Sequence, residues 1–407
     1  LPYHLGYVAR HDIVSRVDFE RPDSPQKARD LERVEAGFAR RYVEESDWLE
    51  SMYEPVWNVV QRAAYVTEPE ELVGYAPTAG MAELRELWLA EIRRKIPSLG
   101  SAPVSLPVVT AGLTNGIHHV AELFADTGDT VVVSDLHWGN YRLIFEERRG
   151  AEIVTFPLGD TAALAAALSG RSKAIVLLNT PNNPTGYSPT VAEAQEMTAA
   201  LKAVAAEGTD LVVISDDAYF GLFYEPETYT ESLFSLLTDA HDRLLAVKVD
   251  GATKEEFAWG MRVGFLTVAG RGLTAEHHQA LIRKLMGSIR SSISSCSRVA
   301  QSVLVRLLRS PEYGQEKEAF RRILEERYRE VKKRLSSPLG PLTPLPFNSG
   351  YFLTFDCGSV DAEQLRRALL DRGIGTVSIG SRYLRVAYST VDRNDLVPLF
   401  DEIEKAA

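Results

Sequence analysis

Residues 249–265 read VDGATKEEFAWGMRVGF. An apolar run, LLAVKVD at 244–250, ends in the small residues Gly251, Ala252 and Thr253; Lys254 follows, and Arg262 stands eight positions later, just before a second apolar run, VGFLTVA at 263–269. A lysine just past a strand is a natural Schiff-base nucleophile when its surroundings lower its pKa, and an arginine suits a doubly charged phosphate. A Lys and an Arg at this spacing ordinarily face solvent. Their embedding in GATK and GMRVG argues against that reading here.

Working outward, short β-branched runs alternate with helical patterns between about residues 105 and 270. The expected strands are VVT (108–110), TVVVSD (130–135), EIVTFPL (152–158), AIVLLN (174–179), LVVISD (211–216) and the two runs above. Between them GIHHVAELFA, NYRLIFEERR and VAEAQEMTAALKAVAAE carry apolar residues at three- and four-residue spacing. This is the pattern of an α/β fold, a mostly parallel seven-stranded sheet covered by helices. After 270 come long helices, notably EKEAFRRILEERYREVKKRL, then YFLTFDC, DAEQLRRALLDRG, GTVSIG and YLRVAYS, which predict a smaller α+β domain. At 407 residues the chain exceeds what one core supports. The expected organisation is an N-terminal segment (1–70) packing on the small domain or a partner subunit, a large domain (71–310) and a small one (311–407).

Three further clusters fall at predicted strand ends, where open α/β sheets bind ligands. TAGLTNGI (110–117) runs from strand into helix with Gly112 and Thr114 at the turn. Free N–H groups and a helix dipole there suit a phosphate, and a plain connection explains the turn equally well. LNTPNNPTG (178–186) ends in a turn dense with Pro, Asn and Gly. Asn183 offers a side-chain amide to an oxyanion, although alone it reads better as a turn residue. VVISDDAY (212–219) meets two acids, Asp216 and Asp217, at the end of an apolar strand. A buried carboxylate there wants a positive partner such as a protonated ring nitrogen; capping of the next helix competes.

In order and spacing these four clusters resemble the fold type I pyridoxal-phosphate enzymes of aminotransferase class I and II, from about Tyr75 to Arg385. The resemblance implies pyridoxal 5'-phosphate as cofactor and a catalytic set of Lys254, Asp216 and Tyr219. Lys254 would carry the cofactor as a Schiff base, and Asp216 would pair with the pyridinium nitrogen. Asn183 and Tyr219 would hydrogen-bond the phenolic oxygen, while Arg262 with Gly112, Leu113 and Thr114 would clamp the phosphate. Trp138, in DLHWGNY, falls where the family stacks an aromatic on the ring, a place that also suits a core Trp. Tyr75 corresponds to a tyrosine reaching the neighbouring subunit's phosphate, which implies a homodimer with shared active sites. Arg385, in YLRVAYS, resembles the arginine that grips the substrate α-carboxylate, with Asn183 beside it; an Arg on an edge strand otherwise faces solvent.

The implied activity moves an amino group between an amino acid and a 2-oxo acid in ping-pong order, the cofactor serving as electron sink. A lyase or decarboxylase acting on an amino acid would use the same residues. The chain departs from the family at Gly251, where many relatives have a serine that donates to the phosphate. It departs again at Phe257, in place of a small residue, and at Glu255 and Glu256 directly after the lysine. Arg290, in the Ser-rich stretch 288–297, faces either the site or the solvent.

Composition narrows the partners. Lys and Arg total 45 against 56 Asp and Glu, a net charge of -11 with no basic cluster, so nucleic acid is not expected, nor is a DNA-binding regulator with an aminotransferase-like domain. No apolar run of membrane length and no signal-peptide pattern occur, which predicts a cytoplasmic protein. The two cysteines, Cys296 and Cys357, are too far apart in sequence to suggest a disulfide framework or a metal site.

Overall fold

The computed structural model describes residues 74–407, and the packing expected for residues 1–70 lies outside them. Two compact units divide the described chain: one runs to Lys317 and includes Phe347–Gly350, and the other comprises Glu318–Pro346 and Tyr351–Ala407.

The first unit is built on a seven-stranded sheet. Its strands are β1 (Val108–Thr110), β2 (Thr130–Ser134), β3 (Glu152–Phe156), β4 (Lys173–Asn179), β5 (Asp210–Asp216), β6 (Leu244–Gly251) and β7 (Gly264–Gly270). They lie in the order β1-β7-β6-β5-β4-β2-β3, and only β7 runs against its neighbours. All seven coincide with the expected strands to within two residues.

The strands read as unbroken apolar runs because helices bury both faces. The helices are α1 (Ala82–Lys95), α2 (Leu113–Phe124), α3 (Thr161–Leu168), α4 (Val191–Ala206), α5 (Leu233–Leu237), α6 (Ala275–Ser292) and α7 (Arg298–Arg309); α8 (Tyr313–Arg334) begins in this unit. Side chains alternate along each strand. Val132, Val176 and Val213 pack on one face with Trp88 of α1 and Leu201 of α4. Val131, Ile175 and Ile214 pack on the other with Ile117 and Val120 of α2 and Ile282 of α6. Helix α4 starts with a capping box: the Thr190 hydroxyl accepts from the Glu193 N–H, and the Glu193 carboxylate accepts from the Thr190 N–H.

The second unit holds a four-stranded antiparallel sheet of order β10-β11-β9-β8, made of β8 (Thr343–Pro344), β9 (Leu353–Asp356), β10 (Val377–Ile379) and β11 (Tyr383–Val386). Helices α9 (Ala362–Asp371) and α10 (Arg393–Ala406) belong to it, and Phe400 of α10 meets Phe355 of β9 edge to face, 6.2 Å between ring centroids. β8 was not expected. Two residues ending in proline carry no period, and proline is tolerated only where a strand lies at an edge.

Trp88 anchors α1 to the sheet. Its ring stacks on Phe265 of β7 at 4.2 Å, and its Nε1 donates to Asp250 Oδ1 at 3.1 Å, with the side chain fully buried. Trp88→Ala is expected to lower the unfolding free energy by about 3–5 kcal/mol in a urea titration. Trp88→Phe should cost less, keeping the stack and losing the hydrogen bond.

Candidate active site

The carboxyl ends of β1, β4, β5 and β6 lie along one edge of the sheet. Register fixes this: Asn179 pairs with Asp216, Asp216 with Val249, Gly251 with Gly264, and Gly264 with Thr110. Residues scattered over 140 positions of sequence thereby converge, and each expected cluster occupies one strand end.

Asp216, the last residue of β5, is buried. Its Oδ2 accepts from the Tyr141 hydroxyl at 2.5 Å, and its Oδ1 from the Ala218 N–H at 3.2 Å. Burial raises its pKa above the ordinary carboxylate value, opposed by the Tyr141 hydrogen bond and the Lys254 charge. A carboxylate so placed is stabilised by a cation brought to it. Asn179 fixes the adjoining turn: its Nδ2 donates to the Asp216 carbonyl and its Oδ1 accepts from the Asn183 N–H. That orients the Asn183 amide, whose Nδ2 donates to the Tyr219 hydroxyl at 3.3 Å. The Lys254 ammonium stands 4.4 Å from the centre of the Tyr219 ring. Lys254, Tyr219, Asn183 and Asp216 are thus brought together.

The β1–α2 turn forms the other side. Gly112 has φ 84°, a conformation that side chains disfavour, and a Cβ there would come 2.7 Å from an Nη of Arg262. The guanidinium therefore lies directly on the turn. Among the described residues no side-chain cap bonds the N-cap of α2, so the N–H groups of Leu113 and Thr114 and the Arg262 charge make one corner chemically suited to an anion.

Gly251 explains itself by space. A Cβ there would lie 2.6 Å from the Val263 carbonyl oxygen and 2.8 Å from Gly264 Cα, so β6 and β7 pass too close for a serine. Among the other expected residues, Trp138 is half-buried and meets Tyr141 edge-on at 5.5 Å. Tyr75 is 92% exposed. Arg290 is exposed, donating to the Ser294 hydroxyl at 2.9 Å. Arg385 belongs to the second unit, on the inner strand β11 rather than an edge, where its half-buried guanidinium covers the Phe352 ring at 4.5 Å.

Two features escaped the sequence. Tyr141, the partner of Asp216, ends the DLHWGNY motif, but nothing in that motif says which acid it meets. Glu255 and Glu256 are buried on Lys95 of α1 and Lys317 of α8, a pairing between distant segments. Burial alone would raise the Glu255 pKa; the Lys317 and Lys95 ammonium groups outweigh it and hold it at about 2.

Comparison with known proteins agrees with this architecture. Among solved structures, an aminotransferase of Anaerococcus prevotii superposes with a TM-score of 0.74 at 23% identity, over 85% of this chain and 86% of that one. An α-aminoadipate aminotransferase of Thermus thermophilus, complexed with N-(5'-phosphopyridoxyl)-L-leucine, gives 0.69 at 23% identity over 87% of each chain. In sequence, the aspartate/prephenate aminotransferase of Thermus thermophilus is 28% identical over 79% of this chain and 80% of its own length. The aspartate aminotransferase of Pyrococcus horikoshii is 25% identical over 85% and 86%. The fold is therefore that of the aminotransferases. A family model for aminotransferase class I and II matches residues 49–403, and the chain belongs to that family. It is a pyridoxal-phosphate-dependent transaminase, moving an amino group between an amino acid and a 2-oxo acid. Among the described residues no helix is long and apolar enough to cross a membrane.

The residues present fit the cofactor. The Gly112–Arg262 corner matches a phosphate, Asp216 a protonated ring nitrogen, the Asn183–Tyr219 pair a phenolic oxygen, and Lys254 an aldehyde carbon. The buried Thr253 hydroxyl beside Lys254, with no hydrogen-bond partner among the described residues, adds a polar group to the same place.

Two outcomes follow from this geometry. Gly251→Ser should lower the melting temperature and weaken cofactor retention, read by thermal melts and by absorbance after gel filtration; tighter retention would contradict the spacing of β6 and β7. Glu255 contributes in a pH-dependent way. Its folded pKa of about 2 lies below the ordinary 4.5, so its stabilisation is complete above about pH 4.5 and is lost as pH falls toward 2. Denaturation midpoints between pH 7 and 3 should fall less steeply in Glu255→Gln than in the parent.

Proposed function

We propose that Lys254 is the residue bonded to the cofactor and the base of the transamination. The observation that carries this is the Lys254 ammonium over the Tyr219 ring, with Asp216 buried at the end of a neighbouring strand and Asn183 donating to the Tyr219 hydroxyl. When bound, pyridoxal phosphate withdraws the electrons of the bond broken at the substrate α-carbon. The protein controls the protons. Lys254 Nζ, freed when the substrate amine takes its place, would remove the proton from the substrate α-carbon and return it at the cofactor's C4' carbon. Asp216, oriented by the Tyr141 hydrogen bond, would keep the ring nitrogen protonated. Asn183 and Tyr219 would hold the phenolic oxygen, and Trp138 would offer an aromatic face to the ring. Gly112, Leu113, Thr114 and Arg262 bind the phosphate; the αL backbone of Arg262, at φ 53°, brings its guanidinium back over the turn.

Arg385 and Asn183 bind the substrate carboxylate in this reading. The named relatives act on aspartate, prephenate or methionine, substrates whose side chains differ widely. What an amino acid and a 2-oxo acid share is the carboxylate beside the reacting carbon, and a guanidinium grips it by two parallel hydrogen bonds. A homodimer completes the site, with the exposed Tyr75 available to the partner's phosphate. The two free, buried cysteines, Cys296 and Cys357, suit a reducing cytoplasm.

The test is spectroscopic and kinetic. Mixed with an amino acid alone, the purified holoenzyme should convert its visible band to the shorter-wavelength amine form and release a 2-oxo acid; release of ammonia or carbon dioxide would point to the lyase or decarboxylase reaction. Lys254→Ala should lose turnover and the covalent band together. Asp216→Ala should retain cofactor yet fall by roughly 10²–10⁴-fold in kcat, the usual weight of a proton-controlling group. Normal turnover in either variant overturns the assignment.

A further inference from the structure

Glu255 and Glu256 follow Lys254 directly and play no part in the chemistry above, yet their side chains are 4% and 0% exposed. Glu255 lies 2.6 Å from the Lys95 ammonium and 3.3 Å from that of Lys317; Glu256 lies 2.9 Å from each. Lys95 is the last residue of α1, and Lys317 lies in the first turns of α8. Two acids and two cations, from three separate segments, thus form a charge-balanced buried cluster.

Such a cluster resists displacement. A buried charge is tolerated only while it is paired, so removing one member leaves an uncompensated charge in a dry place. The backbone between Lys254 and the cluster is correspondingly taut: the Phe257 N–H donates to the Lys254 carbonyl at 3.3 Å and the Ala258 N–H to the Ala252 carbonyl at 3.1 Å. Phe257 closes this turn at φ 52°, a conformation a bulky side chain adopts only when its surroundings impose it. Other charges face the same region. Glu91 of α1 stands 3.8 Å from Lys95, and Lys248 on β6 pairs with Asp250 at 3.1 Å and also with Asp217.

We propose that Glu255 and Glu256, held between Lys95 and Lys317, are positioning residues for Lys254, fixing the turn from which it projects and setting the potential at its nitrogen. The inference rests on the reading of Lys254 as the cofactor-bearing lysine. It gives the two acids, which depart from the family pattern, a task specific to this chain.

The charges make opposite changes distinguishable. Glu256→Gln removes a negative charge near Lys254 and should lower the pH at which the holoenzyme's visible band titrates. Lys317→Met removes a positive one and should raise it. Each shift should be at most roughly one pH unit, the scale on which one nearby charge moves a titrating group. The double variant should return near the parent value, and both single variants should release cofactor faster on dilution. A merely structural cluster would lower the melting temperature in both and leave the titration in place, or move it one way in both; either result overturns the proposal. Should Glu256→Gln fail to fold, Lys317→Met, whose side chain is 23% exposed, decides by sign: a rise supports the proposal, and no change or a fall refutes it. A band that persists in Lys254→Ala would instead refute the underlying assignment of the lysine.

Discussion

At the carboxyl edge of the sheet, the backbone of β6, the start of β7 and the β1–α2 turn approach so closely that side chains are excluded between them. A Cβ on Gly264 would sit 2.7 Å from the Gly112 carbonyl carbon, and one on Gly251 would meet Val263 and Gly264 at similar distances. This contact brings the turn after β1 beside the strand that leads to Lys254. It also draws Arg262, just before β7, over the start of α2. The Gly112–Arg262 corner and the strand leading to Lys254 share one close-packed seam as a result, the kind of support that can hold side chains to within a fraction of an ångström.

The second constraint is burial on both faces. With helices over each side, a polar group has a low-cost place only where a strand ends or where another charge meets it. Asp216 and Asn179 take the first solution. Lys248 takes the second inside β6: pairing with Asp217 and Asp250 leaves Asp217 raised to about 6, because burial outweighs the ammonium beside it. Glu255, with two cations, falls instead to about 2. Asp217 also faces the Asp250 carboxylate, which raises it further, whereas Lys317, Lys95 and Lys248 all lower Glu255.

Much of this was legible beforehand. The seven strands stood out because doubly buried strands are apolar throughout, and the four motif clusters stood out because glycine, asparagine and acids interrupt those runs abruptly. β8 was missed because Thr343 and Pro344 carry no periodicity. The inner position of Arg385 was misjudged because strand order within a sheet is set by pairing, which a lone strand pattern does not encode. Glu255 and Glu256 were visible as departures from a family pattern, but their partners lie about 160 residues upstream and about 60 downstream.

By itself, then, the sequence determined the class of fold, the order of its strands along the chain and the motif clusters whose residue types suit a phosphorylated aromatic cofactor. Local period, turn chemistry and motif spacing are properties of neighbouring residues, and they survive in one dimension. The tertiary structure alone decided that Tyr141 serves Asp216, that Gly251 leaves no room for a serine, and that the acids beside Lys254 are matched by Lys95 and Lys317. Each of these is a contact between segments remote in sequence, set by how the sheet orders its strands and how the helices cross it.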